Sequence, residues 1–395
     1  MKAALDLGFI ALTDAAPLIV AKTHGLFADE GLDVSLHREV SWATLRDKVA
    51  TGVFQGAHML APMAIATNLG IGSEPARLTV PMSLNAHGAG IGLSASLAAE
   101  MAQADPASPL SATALAQAVA KRRKDGKPAI SFAVVFPYSM HNYMLRFWVA
   151  GAGVDPDEDI RIVVAPPTAI AARLKSGEID GFCVGAPWGA LCEAESGAKV
   201  ALHAADFWPG GPDKVLGVSG AWADREPEQM LALMRAVVRG AQWADNATHA
   251  RDLAALLAQP EWLNASETLI AQRLAPESAQ SLRFAKHASL YPWRSHAAWI
   301  VSQMIRWGQA PADIDMGAAI ACYRPDLFRH AAADSGLNAP VADGKVEGAH
   351  DTAWSLEGLN GSIEMTADRL PGLVEFVPER TLEYATSFKI SRARR

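Results

Sequence analysis

The chain has 395 residues, half of them hydrophobic, and a formal net charge of −7. That length and apolar content can bury a large core and imply more than one domain, while the acidic balance argues against direct nucleic-acid binding. Cys183, Cys192 and Cys322 form no CxxC pair, which argues against a disulfide framework or a cysteine-rich zinc site and fits a reducing compartment.

Met1-Lys2 runs straight into the apolar residues 3–9, which read as a first core strand. No charged n-region, apolar h-region and small-residue cleavage site precede it. No window reaches the length of a membrane-spanning helix. The expectation from the sequence as written is therefore a cytoplasmic protein that does not enter a membrane.

Residues 15–24 then read as a helix stopped by Gly25, residues 33–40 as a strand, and residues 42–51 as a helix with Ser41 as its N-cap. Residues 57–60, 78–84 and 90–93 read as strands. Residues 101–128 are Ala-rich and helical, broken at Pro-Ala-Ser-Pro. A second set begins with a strand at 129–135, and Ser139 caps a helix with Met144, Leu145, Trp148 and Val149 on one face. Strands are expected at 160–164, 181–184, 199–203 and 215–222, with helices at 169–176, from Pro187-Trp188 onward, and at 228–246. Residues 250–330 are helical and aromatic. Residues 335–375, rich in Gly, Asp and Ala, read as an irregular or partly mobile excursion before a final helix at 380–388. The basic runs at 121–124 and 392–395 read as solvated surface.

Repeated β–α units imply mainly parallel sheets with helices on both faces. Two such sets joined by extended crossings imply an α/β fold of two lobes. The lobe boundaries are expected at 1–96 (first part of lobe I), 97–208 (lobe II), 209–334 (second part of lobe I) and 335–395 (C-terminal extension).

In open α/β sheets ligands bind outside the carboxyl ends of the strands. The segments Ser-Trp-Ala-Thr (41–44), Ser-Met-His-Asn (139–142) and Ala-Pro-Pro-Thr (165–168) all occupy that place. Each opens a helix, whose N-terminus presents free N–H groups and positive dipole. With Lys214 in Gly-Gly-Pro-Asp-Lys-Val-Leu-Gly (210–217), they can line a cage for a small anion that only accepts hydrogen bonds. Each of these side chains alone is ordinary: a lone lysine is usually solvated and a lone tryptophan is usually core. GxSxG, Walker, HExxH and dinucleotide motifs are missing in their required contexts, and the histidines show no close pair with metal spacing. Neither an enzyme nor a cofactor is expected.

Ser-Phe-Ala-Val-Val-Phe-Pro-Tyr-Ser-Met-His-Asn (131–142), Asp-Gly-Phe-Cys-Val-Gly-Ala-Pro-Trp (180–188) and Tyr-Pro-Trp-Arg-Ser-His (291–296) resemble the nitrate/bicarbonate-binding proteins of ABC importers. Arg-Trp-Gly (306–308) and Tyr-Arg-Pro-Asp-Leu-Phe (323–328) extend the resemblance over most of residues 1–330. It implies the type II periplasmic-binding-protein fold, with a ligand cleft between the lobes. It also implies that nitrate is held by Trp42, His141, Pro167, Val184 and Lys214. A glutamine of nitrate members falls in the segment 84–88, where this chain offers Asn85, His87 and Gly88. Bicarbonate members carry an acidic residue in place of the lysine and recruit calcium, so Lys214 implies a metal-free monovalent anion. The chain is most similar to the leaderless NasS-type sensors of this family. In those, nitrate or nitrite releases an ANTAR-domain RNA-binding antiterminator (NasT-like). The rival expectations are an importer component without its leader, a binding protein for another small substrate such as a sulfonate, and an enzyme of the thiamine-pyrimidine synthase type, whose Cys-rich signature is missing here.

Overall fold

The computed structural model describes residues 2–275 and 278–393. Its strands are β1 (Ala3–Ile10), β2 (Leu32–Glu39), β3 (Gly56–Leu60), β4 (Leu78–Ser83), β5 (Ala89–Leu93), β6 (Ser131–Val134), β7 (Arg161–Val164), β8 (Gly181–Gly185), β9 (Lys199–His203), β10 (Lys214–Ser219), β11 (Trp354–Gly358) and β12 (Gly361–Met365). Ten of them build two five-stranded sheets, in the orders β2-β1-β3-β10-β4 and β7-β6-β8-β5-β9. This is the two-lobed α/β architecture that the repeated β–α units imply. β3, β4, β8 and β10 are buried along their whole length, as strands covered on both faces are. The edge strand β2 alternates instead, burying Leu32 and Val34 and exposing Asp33 and Ser35.

Each sheet is mixed rather than wholly parallel. β1 runs parallel to β2 and β3, but β10 is antiparallel to β3 and β4. β6 runs parallel to β7 and β8, but β5 is antiparallel to β8 and β9. The reversed strand in each sheet is the one that arrives from the other lobe. A chain crossing between the lobes enters a sheet at the end where its parallel strands leave, so it must run backwards.

Because β5 pairs in the second sheet, the first crossing between the sheets lies at residues 84–88; the second lies at residues 204–213, between β9 and β10. The two crossings lie side by side, with Ala86 bridged to Pro212 and to Arg283. His87 locks them: its Nε2 accepts from Gly210 N at 3.1 Å, so its Nδ1 carries the proton and donates to Ser281 O at 3.2 Å.

The long helix Pro227–Ala244 packs on helix Ala16–Thr23. Gly240 makes this crossing possible, since a Cβ there would lie 2.4 Å from Pro17 O.

Residues 335–375 are ordered where their composition suggests an irregular excursion. β11 and β12 form an antiparallel hairpin, and Asn338 Oδ1 accepts from Asn360 N at 2.9 Å in its turn. Lys345 pairs with the buried carboxylates Glu347 and Asp368 in one ion group. Ser295 Oγ donates to Glu347 at 2.6 Å, which ties the group to helix Arg294–Arg306. The final helix, Thr381–Thr386, packs on that same helix. Of the two basic runs expected to be solvated, Arg122 is paired with Glu100 and Asp180 at 2.8 and 3.0 Å. Arg392 reaches lobe II at Asp155, 2.6 Å away; Arg394 and Arg395 lie outside the described residues.

Candidate functional site

The carboxyl ends of β1 and β3 and the start of β10 meet in lobe I around one lysine. Lys214 opens β10 and is completely buried. Its Nζ lies 2.6 Å from Asp213 Oδ1 and 3.0 Å from Asp14 Oδ2. Asp14 sits in the turn Thr13–Ala15 that follows β1, and His58 Nε2 from β3 lies 2.7 Å from its other oxygen. Trp42, the first residue of helix Trp42–Ala50, packs its indole on His58 with ring centroids 5.6 Å apart. Ser41 caps that helix by accepting from Thr44 N at 3.3 Å.

The crossing at 84–88 and lobe II close the cluster. Asn85 Oδ1 accepts from Lys214 N at 3.2 Å. A Cβ on Gly88 would lie 2.5 Å from Asp213 Oδ2, 2.9 Å from Asp14 Oδ2 and 3.0 Å from Asn85 Nδ2, so glycine is what lets the chain pass here. From lobe II, a Cβ on Gly185 would lie 3.6 Å from both Asp14 Oδ2 and His141 Nε2. His141 is the second residue of helix Met140–Gly151, capped by Ser139, whose Oγ accepts from Asn142 N at 3.1 Å. Thr13 N donates to Ala186 O at 2.9 Å and Trp188 Nε1 to Ala11 O at 2.7 Å, holding the lobes together across the site.

The electrostatics follow from burial. Burial pulls the Lys214 ammonium toward neutrality, but Asp14 and Asp213 more than offset it, and its pKa stands above the usual lysine value. Burial likewise opposes the Asp14 carboxylate, yet Lys214 and His58 hold its pKa well below the usual range. Asp213 goes the other way. Burial and the neighbouring Asp14 raise it, despite the pull of Lys214. Burial, reinforced by Lys214, drives His141 well below the ordinary imidazole pKa, so it is a neutral donor of one N–H.

Several buried polar atoms around this cluster have no hydrogen-bond partner among the described residues: Thr13 Oγ1, Asp14 Oδ1, Trp42 Nε1, both ring nitrogens of His58 and of His141, Asn85 Nδ2 and Asp213 Oδ2. Buried polar groups are nearly always paired, so such a group of unpartnered atoms marks a place where a polar ligand can bind. Donors from an indole, an amide, an imidazole and an ammonium match a small acceptor-only anion.

Of the residues singled out in the sequence, Trp42, His141, Lys214, Asn85 and Gly88 belong to this cluster. Val184 is buried in β8 next to Gly185 and, with Gly88 and Ala186, lines an adjoining cavity of about 210 Å³. Pro167 is buried at the end of β7, an edge strand two places from β8. His87 is not an available donor: both its nitrogens are used in the crossing, and burial with nearby Arg283 lowers its pKa to about 3. The sequence reading missed Asp14, His58 and Asp213. Asp14 could have been found, since Thr13-Asp14 follows the first strand in the same position as the other three segments. His58 could not, because within a buried strand it looks like any core histidine. Among the described residues, no group of three or more His, Cys, Asp or Glu side chains is placed to hold a metal ion, and no helix is long and apolar enough to cross a membrane.

Residues 1–258 match the model of the NMT1-like family. The chain is 34% identical over 349 residues to the nitrate/nitrite binding protein NrtA of Synechococcus elongatus, covering 83% of this chain and 77% of that one. It is 32% identical over 403 residues to the nitrate import ATP-binding protein NrtC of Synechocystis, spanning 98% of this chain but only 55% of that longer protein. The crystal structure of the periplasmic nitrate-binding protein NrtA from Synechocystis superposes with a TM-score of 0.82 at 29% identity, covering 98% of this chain and 99% of that one. The fold is therefore that of a periplasmic binding protein, and the chain belongs to the NMT1-like family, homologous to the NrtA nitrate-binding proteins.

Proposed function

We propose that this protein binds nitrate or nitrite between its lobes and has no catalytic role. The observation that carries this reading is the set of buried, unpartnered donors of Trp42, Asn85 and His141 around Lys214. Lys214 sets an ammonium beside the anion, Trp42 Nε1–H, His141 and Asn85 direct hydrogen bonds at it, and Val184 bounds the adjoining cavity. Lys214 already bridges two carboxylates and serves as the built-in cation, so no metal is required. Calorimetry with nitrate, nitrite, bicarbonate and sulfate tests this directly. Binding of bicarbonate or sulfate in preference to nitrate and nitrite would overturn it.

The finer reading is a cytoplasmic nitrate/nitrite sensor. Closure around the anion removes the surface that holds an ANTAR-domain RNA-binding antiterminator, which is then released; the support is the resemblance to NasS-type sensors. By linkage, the partner and the anion must oppose each other. Anion at about 100 times its Kd contributes roughly 2.7 kcal/mol, about a hundredfold shift, if the partner-bound form cannot bind it. Gel filtration of the two proteins should show co-elution without nitrate and separation with it. A second reading, the binding component of a nitrate ABC importer, is favoured by the names of the relatives. It predicts no such complex, and instead a loss of nitrate uptake on gene deletion.

A further inference from the structure

The candidate site holds one ammonium and two carboxylates. Lys214 Nζ is shared between Asp213 Oδ1 at 2.6 Å and Asp14 Oδ2 at 3.0 Å. All three residues are 3% exposed or less, so little solvent screens them. Lys214 and Asp14 cancel, and Asp213 leaves the group one negative charge in excess. If His58, 2.7 Å from Asp14, carries a proton, the group is neutral. In neither state does it have a spare positive charge for an incoming anion. Asp213 Oδ2 has no partner among the described residues and faces Gly88, beside Asp14 Oδ2 and Asn85 Nδ2. As a carboxylate it would repel an anion seated among those donors. As a carboxylic acid it would be one more donor.

We propose that the anion is bound together with a proton, and that Asp213 carries it. The inference rests on the anion-binding reading above. The proton comes from solvent and adds to Asp213 Oδ2, and the new O–H donates to an oxygen of the anion. Proton and monoanion enter as a neutral pair, so the charge of the sealed group is the same before and after, whichever state His58 has. Release returns both.

The other titratable groups that face Asp213 fit this assignment less well. Asp14 is held by Lys214 and His58 as a carboxylate. His141 is kept neutral by burial and Lys214. Burial keeps Cys183 a thiol. Both nitrogens of His87 are occupied. Lys214 already carries its proton, and Asp213 is the carboxyl whose unpartnered oxygen lies nearest Gly88, beside the Asn85 amide. Burial and Asp14 also favour the protonated form of Asp213.

The test is calorimetry of nitrate binding at fixed pH in two buffers of different ionisation enthalpy, repeated across pH. The parent protein should take up about one proton per anion near neutral pH, and its Kd should rise by up to about tenfold per pH unit above that. Asp213→Asn, whose amide is already a neutral donor, should take up almost none and show a flat pH profile. A difference infrared spectrum of the parent should gain a protonated-carboxyl band when nitrate is added, a readout that needs no variant. Proton uptake near zero in the parent, the lack of that band, or full proton uptake retained in Asp213→Asn would each overturn the proposal while leaving nitrate binding in place. No nitrate binding at any pH would overturn the functional reading, and this inference with it.

Discussion

Replacing Lys214 with methionine keeps much of the side chain's length and removes its charge. From sequence alone this change affects only ligand affinity. The structure shows a second cost. Asp14 and Asp213 lose an ammonium at 3.0 and 2.6 Å with no water to replace it. Removing one partner of a buried ion pair costs about 3–5 kcal/mol. Here the lower end applies, because Asp14 retains His58 and Asp213 can take a proton. The anion loses the neighbouring ammonium as well and is left beside two carboxylates, for a further loss of roughly 2–5 kcal/mol in binding, or about 30-fold or more in Kd. Urea unfolding with and without nitrate measures the first effect and calorimetry the second. A variant within about 1 kcal/mol of the parent in stability and within about threefold in affinity would refute the assigned role of Lys214.

Gly88→Ala places a carbon 2.5 Å from Asp213 Oδ2, so nitrate affinity should fall at least about tenfold in the same titration, by the steric logic of overpacking. His141→Ala should weaken binding by a few fold to about a hundredfold, the range for a lost buried hydrogen bond. It should leave the pH dependence of Kd unchanged, because His141 is neutral throughout; a flattened profile would contradict this. Glu347 titrates at about 2 instead of an ordinary 4.5: burial alone would raise it, but Lys345 and His296 hold it down. Its stabilising contribution is therefore complete above its unfolded pKa and is lost as pH falls from about 4.5 toward 2. Glu347→Gln should be less stable than the parent at neutral pH and lose less on acidification, as read by denaturant unfolding at each pH. Chelator should leave nitrate affinity unchanged, and a calcium requirement would count against Lys214 as the site's own cation.

Periodicity determined most of the secondary structure. Alternating residues set β2, short mostly apolar segments set β3, β4 and β10, and the caps Ser41 and Ser139 set two helix starts, because these are local effects of burial and backbone hydrogen bonding. The same local logic placed Trp42 and His141 at helix starts beside strand ends. The hairpin β11–β12 was not read from the sequence: Trp354, Leu356, Ile363 and Met365 alternate around Asn360-Gly361, but the Gly- and Asp-rich composition around them outweighs so short a pattern. Tertiary structure decided what no local pattern carries. β5 and β10 run backwards because each arrives from the other lobe. His87 is spent on the hinge and Asn85 is not, since the partners Gly210, Ser281 and Lys214 come from far along the chain. Lys214 pairs with its sequence neighbour Asp213, but it is bridged to a second carboxylate because the fold brings Asp14, 200 residues earlier, to meet it. Charge balance in a sealed site depends on which groups share the enclosure, and only the folded chain brings them together.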